Sequence, residues 1–304
     1  MMPILKLIRW KNLVMIAAIQ ILIKHALLQP FNVSITLNWF GFSLLVLSTL
    51  CIAAGGYIIN DIQDIEADTA NKVHNPIALK EITLKAAYNW YIGLTILGVL
   101  IGLYLSHLIN KSGFFAIFVI TSLLLYLYST TLKKMLLVGN IVIALLVAFS
   151  IIIVGLFELF PAIKETNMAT QRTFFGILMD YAVFAFLLTF TRELAKDIED
   201  IDGDYKAGMN TLPISLGRER ATKVLFGLMF LPIGAVVYYI ASYLYRQPLS
   251  MFYFLLFILA PLLYLLYKTY SAEKKADYSH ISFFLKLIMV SGMLSLLIYR
   301  YILL

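Results

Sequence analysis

Nine long apolar runs dominate this chain of 304 residues. They cover about residues 12–30, 38–60, 83–107, 113–130, 136–157, 174–192, 222–244, 250–269 and 281–302. Most are close to the roughly 20 residues that an α-helix needs to cross the core of a bilayer. The runs are continuous rather than alternating, which excludes a membrane β-barrel. The sequence therefore predicts an all-α polytopic membrane protein of about nine transmembrane helices, with residues 1–304 forming a single transmembrane domain.

The composition supports a membrane environment and excludes nucleic acid as a partner. Hydrophobic residues make up 62% of the chain and charged residues only 13%, whereas a soluble domain carries roughly 25% charged residues. The formal net charge is +7. In a membrane protein we attribute this excess of positive charge to basic residues that set the topology and that attract anionic lipid headgroups.

The basic residues separate the two faces of the membrane. With the N-terminus in the cytoplasm, 18 of the 24 Lys and Arg residues lie on the cytoplasmic side, Lys72 and Lys286 among them. This bias predicts a cytoplasmic N-terminus and a C-terminus outside. The two longest cytoplasmic connections are then loops at about 61–82 and 193–221, whereas Glu158 falls in an outer loop and is given no special role.

These two connections carry the same acidic pattern. The first copy consists of Asp61, Asp64 and Asp68. The same spacing is repeated 136 positions later by Asp197, Asp200 and Asp204. In a helix, each trio would lie within roughly 60° of arc on one face. A Pro-Ile pair follows each trio, which predicts two related halves facing each other across one central cavity.

Carboxylate trios with no cysteine and no pair of histidines nearby favour a hard cation such as Mg²⁺. Two facing trios could hold two Mg²⁺ ions bridged by a diphosphate, with the six aspartates acting as metal ligands and catalytic residues. Phosphate oxygens could also be bound by nearby cations, and Asn60 could add a ligand or a hydrogen bond. These cations are Lys133, Lys134, Arg192 and Lys196.

An apolar cavity beside such a site suits the tail of a lipid diphosphate. Loss of diphosphate from an allylic carbon leaves a carbocation, which the faces of Tyr57, Tyr126 and Tyr128 could stabilise. Packing or a position in the membrane interface is the simpler explanation of these tyrosines. Asn12 and Arg9 could touch substrate at the start of the first span, although topology also explains Arg9. Asn140 could equally bond a neighbouring helix.

With these residues in place, the chain resembles the UbiA superfamily of intramembrane prenyltransferases over essentially its whole length. Residues 60–68 match the family pattern N-D-x-x-D-x-x-x-D, and residues 196–204 match K-D-x-x-D-x-x-G-D. Residues 128–133 match Y-x-x-x-L-K, and Asn12 lies near the family's asparagine in the first span. The resemblance implies nine helices around a lipid-open chamber, Mg²⁺-bound prenyl diphosphate, and phosphate contacts from Lys133, Arg192 and Lys196.

The segments 66–72 and 192–214 are most similar to the geranylgeranylglyceryl phosphate geranylgeranyltransferases of ether-lipid synthesis. That branch usually continues Pro-x-Arg-Pro after Asn71 and Lys72, whereas this chain has Val-His-Asn-Pro over 73–76. The resemblance therefore implies transfer of a prenyl group to a lipophilic acceptor, with a prenylated glycerol phosphate as the first expectation. An aromatic quinone precursor is the alternative acceptor, and a divalent-cation transporter is the alternative from another class.

Overall fold

The computed structural model describes residues 3–71, 75–77 and 79–299, and this part of the chain contains nine helices long and apolar enough to cross a membrane. Lys72, His74 and Arg300 lie outside the described residues. The nine spans are α2 (Trp10–Phe31), α3 (Trp39–Gln63), α5 (Leu84–Leu108), α6 (Ser112–Thr130), α7 (Val138–Ala162), α8 (Met168–Glu199), α11 (Arg218–Leu244), α12 (Pro248–Tyr270) and α13 (Lys275–Ile298). Four shorter helices complete the described part: α1 (Pro3–Leu7), α4 (Ile65–Asn71), α9 (Ile201–Lys206) and α10 (Leu212–Leu216). The prediction of an all-helical polytopic membrane protein is confirmed.

The spans form a ring around a central cavity. In the first half, α3 packs on α5 and α6, and in the second half α8 packs on α7, α11 and α13. The first span, α2, touches α3, α7 and α13 and so joins the two halves. Six spans line the cavity, whereas α5, α11 and α12 lie outside it. The nine predicted helices therefore form an inner ring of six and an outer layer of three.

The two acidic segments are more helical than the sequence predicted. Helix α8 continues to Glu199, so the second motif begins inside the span rather than in a loop. Each motif bends at its middle aspartate, with nearly identical backbone angles: φ −96° and ψ 6° at Asp64, and φ −100° and ψ 8° at Asp200. The short helices α4 and α9 start at the next residue and pack against each other. This shared bend is what brings the two motifs together.

A buried ion pair ties the opposite end of the bundle together, and it overturns the reading of Glu158 as an outer-loop residue. Lys24 Nζ lies 2.7 Å from Glu158 Oε1, and the two residues are 2% and 0% exposed. Lys24 also donates to the Leu37 carbonyl at 2.7 Å, and the Leu37 N–H donates to Glu158 Oε2 at 3.0 Å. These contacts join α2, the following loop and α7.

We expect Glu158→Gln to destabilise the protein, because the substitution leaves the Lys24 ammonium buried without its counter-charge. Loss of one partner of a buried pair costs about 3–5 kcal/mol. The melting temperature of the detergent-solubilised protein should fall by several degrees. Glu219→Gln is the matched control, since Glu219 forms an exposed pair with Lys223. Equal melting temperatures for the two variants would contradict a structural role for the buried pair.

Candidate active site

Both acidic motifs open into one cavity of about 610 Å³ at one end of the bundle. On α3, the lining extends from Asp61 at the mouth to Thr49, which is a depth of about 18 Å at 1.5 Å per helical residue. Below the motifs most of the lining is apolar, from Gly56 and Ile52 on α3 to Phe118 on α6. The cavity therefore combines a strongly charged mouth with a long apolar interior.

The first motif is held by partners from three different segments. Arg9 Nη2 donates to Asp61 Oδ1 at 2.7 Å, and the Arg9 guanidinium lies 5.3 Å from the centre of the Tyr57 ring. Asp64 forms a short ion pair with Lys133 and accepts a hydrogen bond from Asn60 Nδ2 at 2.6 Å. Burial lowers the pKa of Lys133, although the Asp64 carboxylate opposes that shift.

Asn75 fixes the third carboxylate of the first motif. Its Nδ2 lies 2.8 Å from both Asp68 Oδ2 and the Asp61 carbonyl, and its Oδ1 accepts from the Ile77 N–H at 2.9 Å. Asn75 is 1% exposed. Burial, with the Asp64 and Asp61 carboxylates adding to it, raises the pKa of Asp68 to about 6 in spite of the Asn75 hydrogen bond.

The second motif is supported in a similar way. Asn140 Nδ2 donates to Asp197 Oδ2 at 2.7 Å, and Lys275 Nζ lies 3.2 Å from Asp200 Oδ1. Burial is the main cause that raises the pKa of Asp204 to about 7, and the carboxylates of Asp200 and Asp64 raise it further. The short helices α4 and α9, which follow Asp64 and Asp200, pack against each other, so the two motifs face each other.

Glu193 holds two of the cations at the mouth. Its Oε1 lies 2.9 Å from Arg192 Nη1 and its Oε2 lies 3.1 Å from Lys196 Nζ. All three residues are on the last turns of α8: Arg192 and Glu193 lie about one helical turn before Asp197, and Lys196 directly precedes it. The carboxylate therefore orients both basic side chains along the cavity wall.

The cavity brings together most of the residues that the sequence analysis proposed for the site. Its lining includes Asn12, Asn60, Asp61, Asp64, Asp68, Tyr128, Lys133, Arg192, Lys196, Asp197, Asp200 and Asp204. Of the other candidates, Arg9, Tyr57 and Asn140 also line it, whereas Tyr126 and Lys134 do not. Their roles in binding and catalysis stay predictions.

A family comparison decides the class of protein. Residues 31–288 match the model of the UbiA prenyltransferase family. The chain belongs to the UbiA prenyltransferase family. This membership confirms the resemblance seen in the motifs and the prediction of a membrane-embedded prenyltransferase, and it disfavours the transporter alternative.

Two relatives show how far the similarity extends. A digeranylgeranylglyceryl phosphate synthase from Sulfolobus acidocaldarius is 37% identical over 62% of this chain, and the match spans 63% of that relative. A protein of the same name from Methanosphaera stadtmanae is 28% identical over 97% of this chain and 98% of its own length.

Solved structures of UbiA proteins share the fold. A structure reported for digeranylgeranylglyceryl phosphate synthase in membranes superposes with a TM-score of 0.64 at 26% identity, covering 98% of this chain and 97% of the other. A UbiA homologue from Archaeoglobus fulgidus, bound to GPP and Mg²⁺, has a TM-score of 0.60 at 17% identity, covering 97% and 99% of the two chains.

The carboxylates of this UbiA protein fit Mg²⁺ as hard oxygen donors. In the part of the chain that the structure describes, no group of three or more acidic, His or Cys side chains is assembled as a ready metal cage. Five of the six motif aspartates instead hold lysine, arginine or amide partners. Mg²⁺ usually takes only one or two protein carboxylates and completes its shell with water and substrate phosphate. The arrangement thus suits a metal that arrives with a diphosphate.

Several residues of the site gave only a weak signal in the sequence. Glu193 stands four residues before Asp197, so helical periodicity could have placed it on the same face. The sequence leaves open that Asn140 bonds a neighbouring helix, and its partner is indeed on α8, the motif residue Asp197. Lys286 was counted only for topology, yet it lines the cavity. Nothing in the local sequence indicated that Asn75 would fold back onto Asp68.

Gly139 gives a test of how the site positions Lys133. A Cβ atom at Gly139 would lie 2.7 Å from the Lys133 Cα and 3.1 Å from the Leu132 carbonyl oxygen. Gly139→Ala should therefore displace the turn that carries Lys133 and lower kcat/KM about 10- to 100-fold, because small misplacements of a positioning group are that costly.

The readout is prenyl transfer by the purified variant, with the melting temperature as a check on folding. Gly93→Ala is the matched control, because a Cβ at that position on α5 meets nothing within 4 Å. Full activity in Gly139→Ala would show that the position of the Lys133 turn does not limit the reaction.

Proposed function

We propose that this protein transfers the prenyl group of an allylic prenyl diphosphate to the hydroxyl of a lipophilic acceptor inside the membrane, in an Mg²⁺-dependent reaction. We further propose that the acceptor is a prenylated glycerol phosphate such as geranylgeranylglyceryl phosphate. The observation that carries this proposal is the single cavity, in which two facing carboxylate motifs stand above an apolar interior about 18 Å deep. A diphosphate with a hydrocarbon tail has the same division into a charged head and an apolar chain.

The charged mouth would hold the diphosphate. Lys133, Arg192 and Lys196 can donate to its oxygens once the diphosphate competes with their present carboxylate partners. The six motif aspartates would hold Mg²⁺, whose positive charge stabilises the leaving diphosphate. The side-chain amides of Asn60, Asn75 and Asn140 donate to three of these carboxylates and keep them in place.

The apolar interior would hold the tail and keep water from the reacting carbon. Tyr57 and Tyr128 line the cavity beside the motifs, so their ring faces can stabilise positive charge that develops on the allylic carbon. The acceptor oxygen forms the new C–O bond as the bond to diphosphate breaks, and its proton is lost afterwards. Exclusion of water favours transfer to the acceptor over hydrolysis.

Two observations support the glycerol phosphate acceptor. The relatives from Sulfolobus acidocaldarius and Methanosphaera stadtmanae are both named digeranylgeranylglyceryl phosphate synthase. In addition, the departure from the branch pattern at Asn75 has a structural explanation, because Asn75 is buried and bonds Asp68. The loss of a basic residue there is therefore compatible with the same acceptor.

We also propose that the motif end of the bundle faces the cytoplasm, with the N-terminus on that side and the C-terminus outside. The excess of basic residues near this end supports the orientation. In that arrangement a water-soluble Mg²⁺ ion and the polar head of the donor reach the site from the cytoplasm, and both lipid tails remain in the membrane.

We expect Asp64→Asn and Asp200→Asn each to lower kcat by at least about 100-fold, because each variant removes a charge from one half of the proposed metal site. Product formation from a radiolabelled prenyl diphosphate measures the effect, and EDTA should abolish it in the wild type. Asp202→Asn is the matched control. Asp202 lies between the motif residues Asp200 and Asp204, but its side chain is 82% exposed.

Unchanged turnover in Asp64→Asn or in Asp200→Asn would show that the acidic motif carrying that residue does not take part in the reaction. Comparable loss in Asp202→Asn would instead point to a general effect of negative charge at the mouth. Melting temperatures near that of the wild type would show that the variants remain folded.

Acceptor identity is tested by presenting a prenylated glycerol phosphate and an aromatic quinone precursor with the same donor. We expect the glycerol phosphate to give an ether product, detected in mass spectra of the lipid extract. Its mass should equal that of the acceptor plus the prenyl group, less the hydrogen of the acceptor hydroxyl, and diphosphate should be released. Transfer to the aromatic acceptor alone would contradict our assignment, and the absence of product from every pair would contradict prenyl transfer itself.

A further inference from the structure

Lys286 is a charged residue of the last span that the proposed donor site does not use. It lies in the middle of α13 and its side chain lines the cavity. Its Nζ donates to Asn12 Oδ1 on the first span at 2.6 Å. An ionisable residue inside a span is costly in lipid and usually marks a functional site.

The Lys286 ammonium has no carboxylate partner within the described residues. None of the ion pairs found in 3–71, 75–77 and 79–299 includes it, and its one hydrogen bond there is to Asn12. A lysine ammonium has three N–H donors, so two remain available to a ligand.

Several other basic side chains share the cavity with Lys286. Arg9, Arg192 and Lys196 line it as well, and each of them also has a carboxylate partner, Asp61 or Glu193. Arg192 also contributes a buried Nε–H that has no hydrogen-bond partner in the described part of the chain. Such a grouping of cations is stabilised by an anion, and phosphate oxygens satisfy lysine and arginine donors well.

This basic group is distinct from the cation at the first motif. Lys133 comes from the turn between α6 and α7 and engages Asp64 and Asn60. Lys286 belongs to α13 and lies where that helix contacts α2. Two anions can therefore be bound at one mouth, each by cations from a different part of the ring.

The cavity wall below Lys286 is apolar. Met289 and Met293, three and seven residues further along α13, line the cavity on the same helix face, together with Gly292. A ligand whose phosphate meets Lys286 can thus lay a hydrocarbon chain along this wall. The combination fits a lipid phosphate better than a free phosphate ion.

We propose that Lys286, oriented by Asn12 and assisted by Arg192, binds the phosphate of the acceptor lipid in a subsite separate from that of the donor diphosphate. This inference rests on the proposed function, because it assigns a place to the acceptor of that reaction. It makes Lys286 a determinant of specificity for phosphorylated over uncharged or aromatic acceptors.

The test is a steady-state comparison of Lys286→Gln with the wild type, using geranylgeranylglyceryl phosphate and the same lipid without its phosphate. Loss of a charged hydrogen bond should raise the acceptor KM about 10- to 100-fold, and the donor KM should stay within about twofold. The preference for the phosphorylated over the dephosphorylated acceptor should fall by the same factor. Lys286→Arg should recover part of it.

Two further variants sharpen the comparison. Asn12→Asp keeps the shape of the side chain that bonds Lys286, but the new carboxylate offsets the positive charge of the Lys286 ammonium. This variant should therefore also raise the KM of the phosphorylated acceptor. Lys274→Gln removes one positive charge from an exposed position just before α13, outside the cavity lining, and should leave the acceptor KM unchanged.

A binding measurement separates this inference from the proposed reaction. Without donor and with EDTA, the phosphorylated acceptor should raise the melting temperature of the wild type but not that of Lys286→Gln, and phosphatidylglycerol should have little effect on either. If no donor and acceptor pair yields product while this shift is present, the proposed function fails and the subsite stands.

Three outcomes would overturn the subsite. An unchanged acceptor KM in Lys286→Gln is the first. Equal losses with the phosphorylated and dephosphorylated acceptors, which indicate a structural role, are the second. The third is equal stabilisation of the wild type by phosphatidylglycerol, which would make Lys286 a contact for bulk anionic lipid.

Discussion

The mutual repulsion of the carboxylates at the cavity mouth is the constraint on which the rest of the site depends. Like charges that are partly removed from water raise one another's free energy. Burial, and after it the neighbouring carboxylates, raises the pKa of both Asp68 and Asp204. The protein offsets part of the cost with Arg9, Lys133 and Lys275 and with buried amides. These partners come from separate segments of the chain, so the carboxylates are held together only when the ring of spans is assembled.

The backbone bend at the middle aspartate of each motif brings the carboxylates of the two motifs close together. A straight helix would point each trio along the bundle axis and away from its counterpart. Because the chain turns at Asp64 and again at Asp200, α4 and α9 pack against each other over the cavity. The third carboxylate of each motif is thereby carried back over the mouth, and Asp204 comes under the influence of Asp64.

The sequence predicted the spans and the acidic motifs because both are local patterns. Hydropathy located the nine helices with ends no more than seven residues from those in the structure, and the repeated spacing singled out the six aspartates that line the cavity. The bends were missed, because both motifs satisfy helical periodicity without a break. Long-range partners such as Asn75 and Lys286 were missed as well, since their contacts are set by how the helices pack. The Lys24–Glu158 pair joins residues 134 positions apart, a distance over which no local pattern carries information.

The two ends of the bundle use charge for opposite purposes. At the far end, Lys24 and Glu158 satisfy each other with further bonds to the backbone around Leu37, and almost nothing is left for a ligand. At the mouth, the ion pairs are distributed so that donors remain: Lys286 bonds only a neutral amide, and Arg192 keeps a buried N–H without a partner in the described part of the chain. A fully paired site would be more stable by itself but would bind anions poorly. Incomplete pairing at the mouth is therefore the physical basis on which we propose that two phosphate-bearing lipids bind side by side.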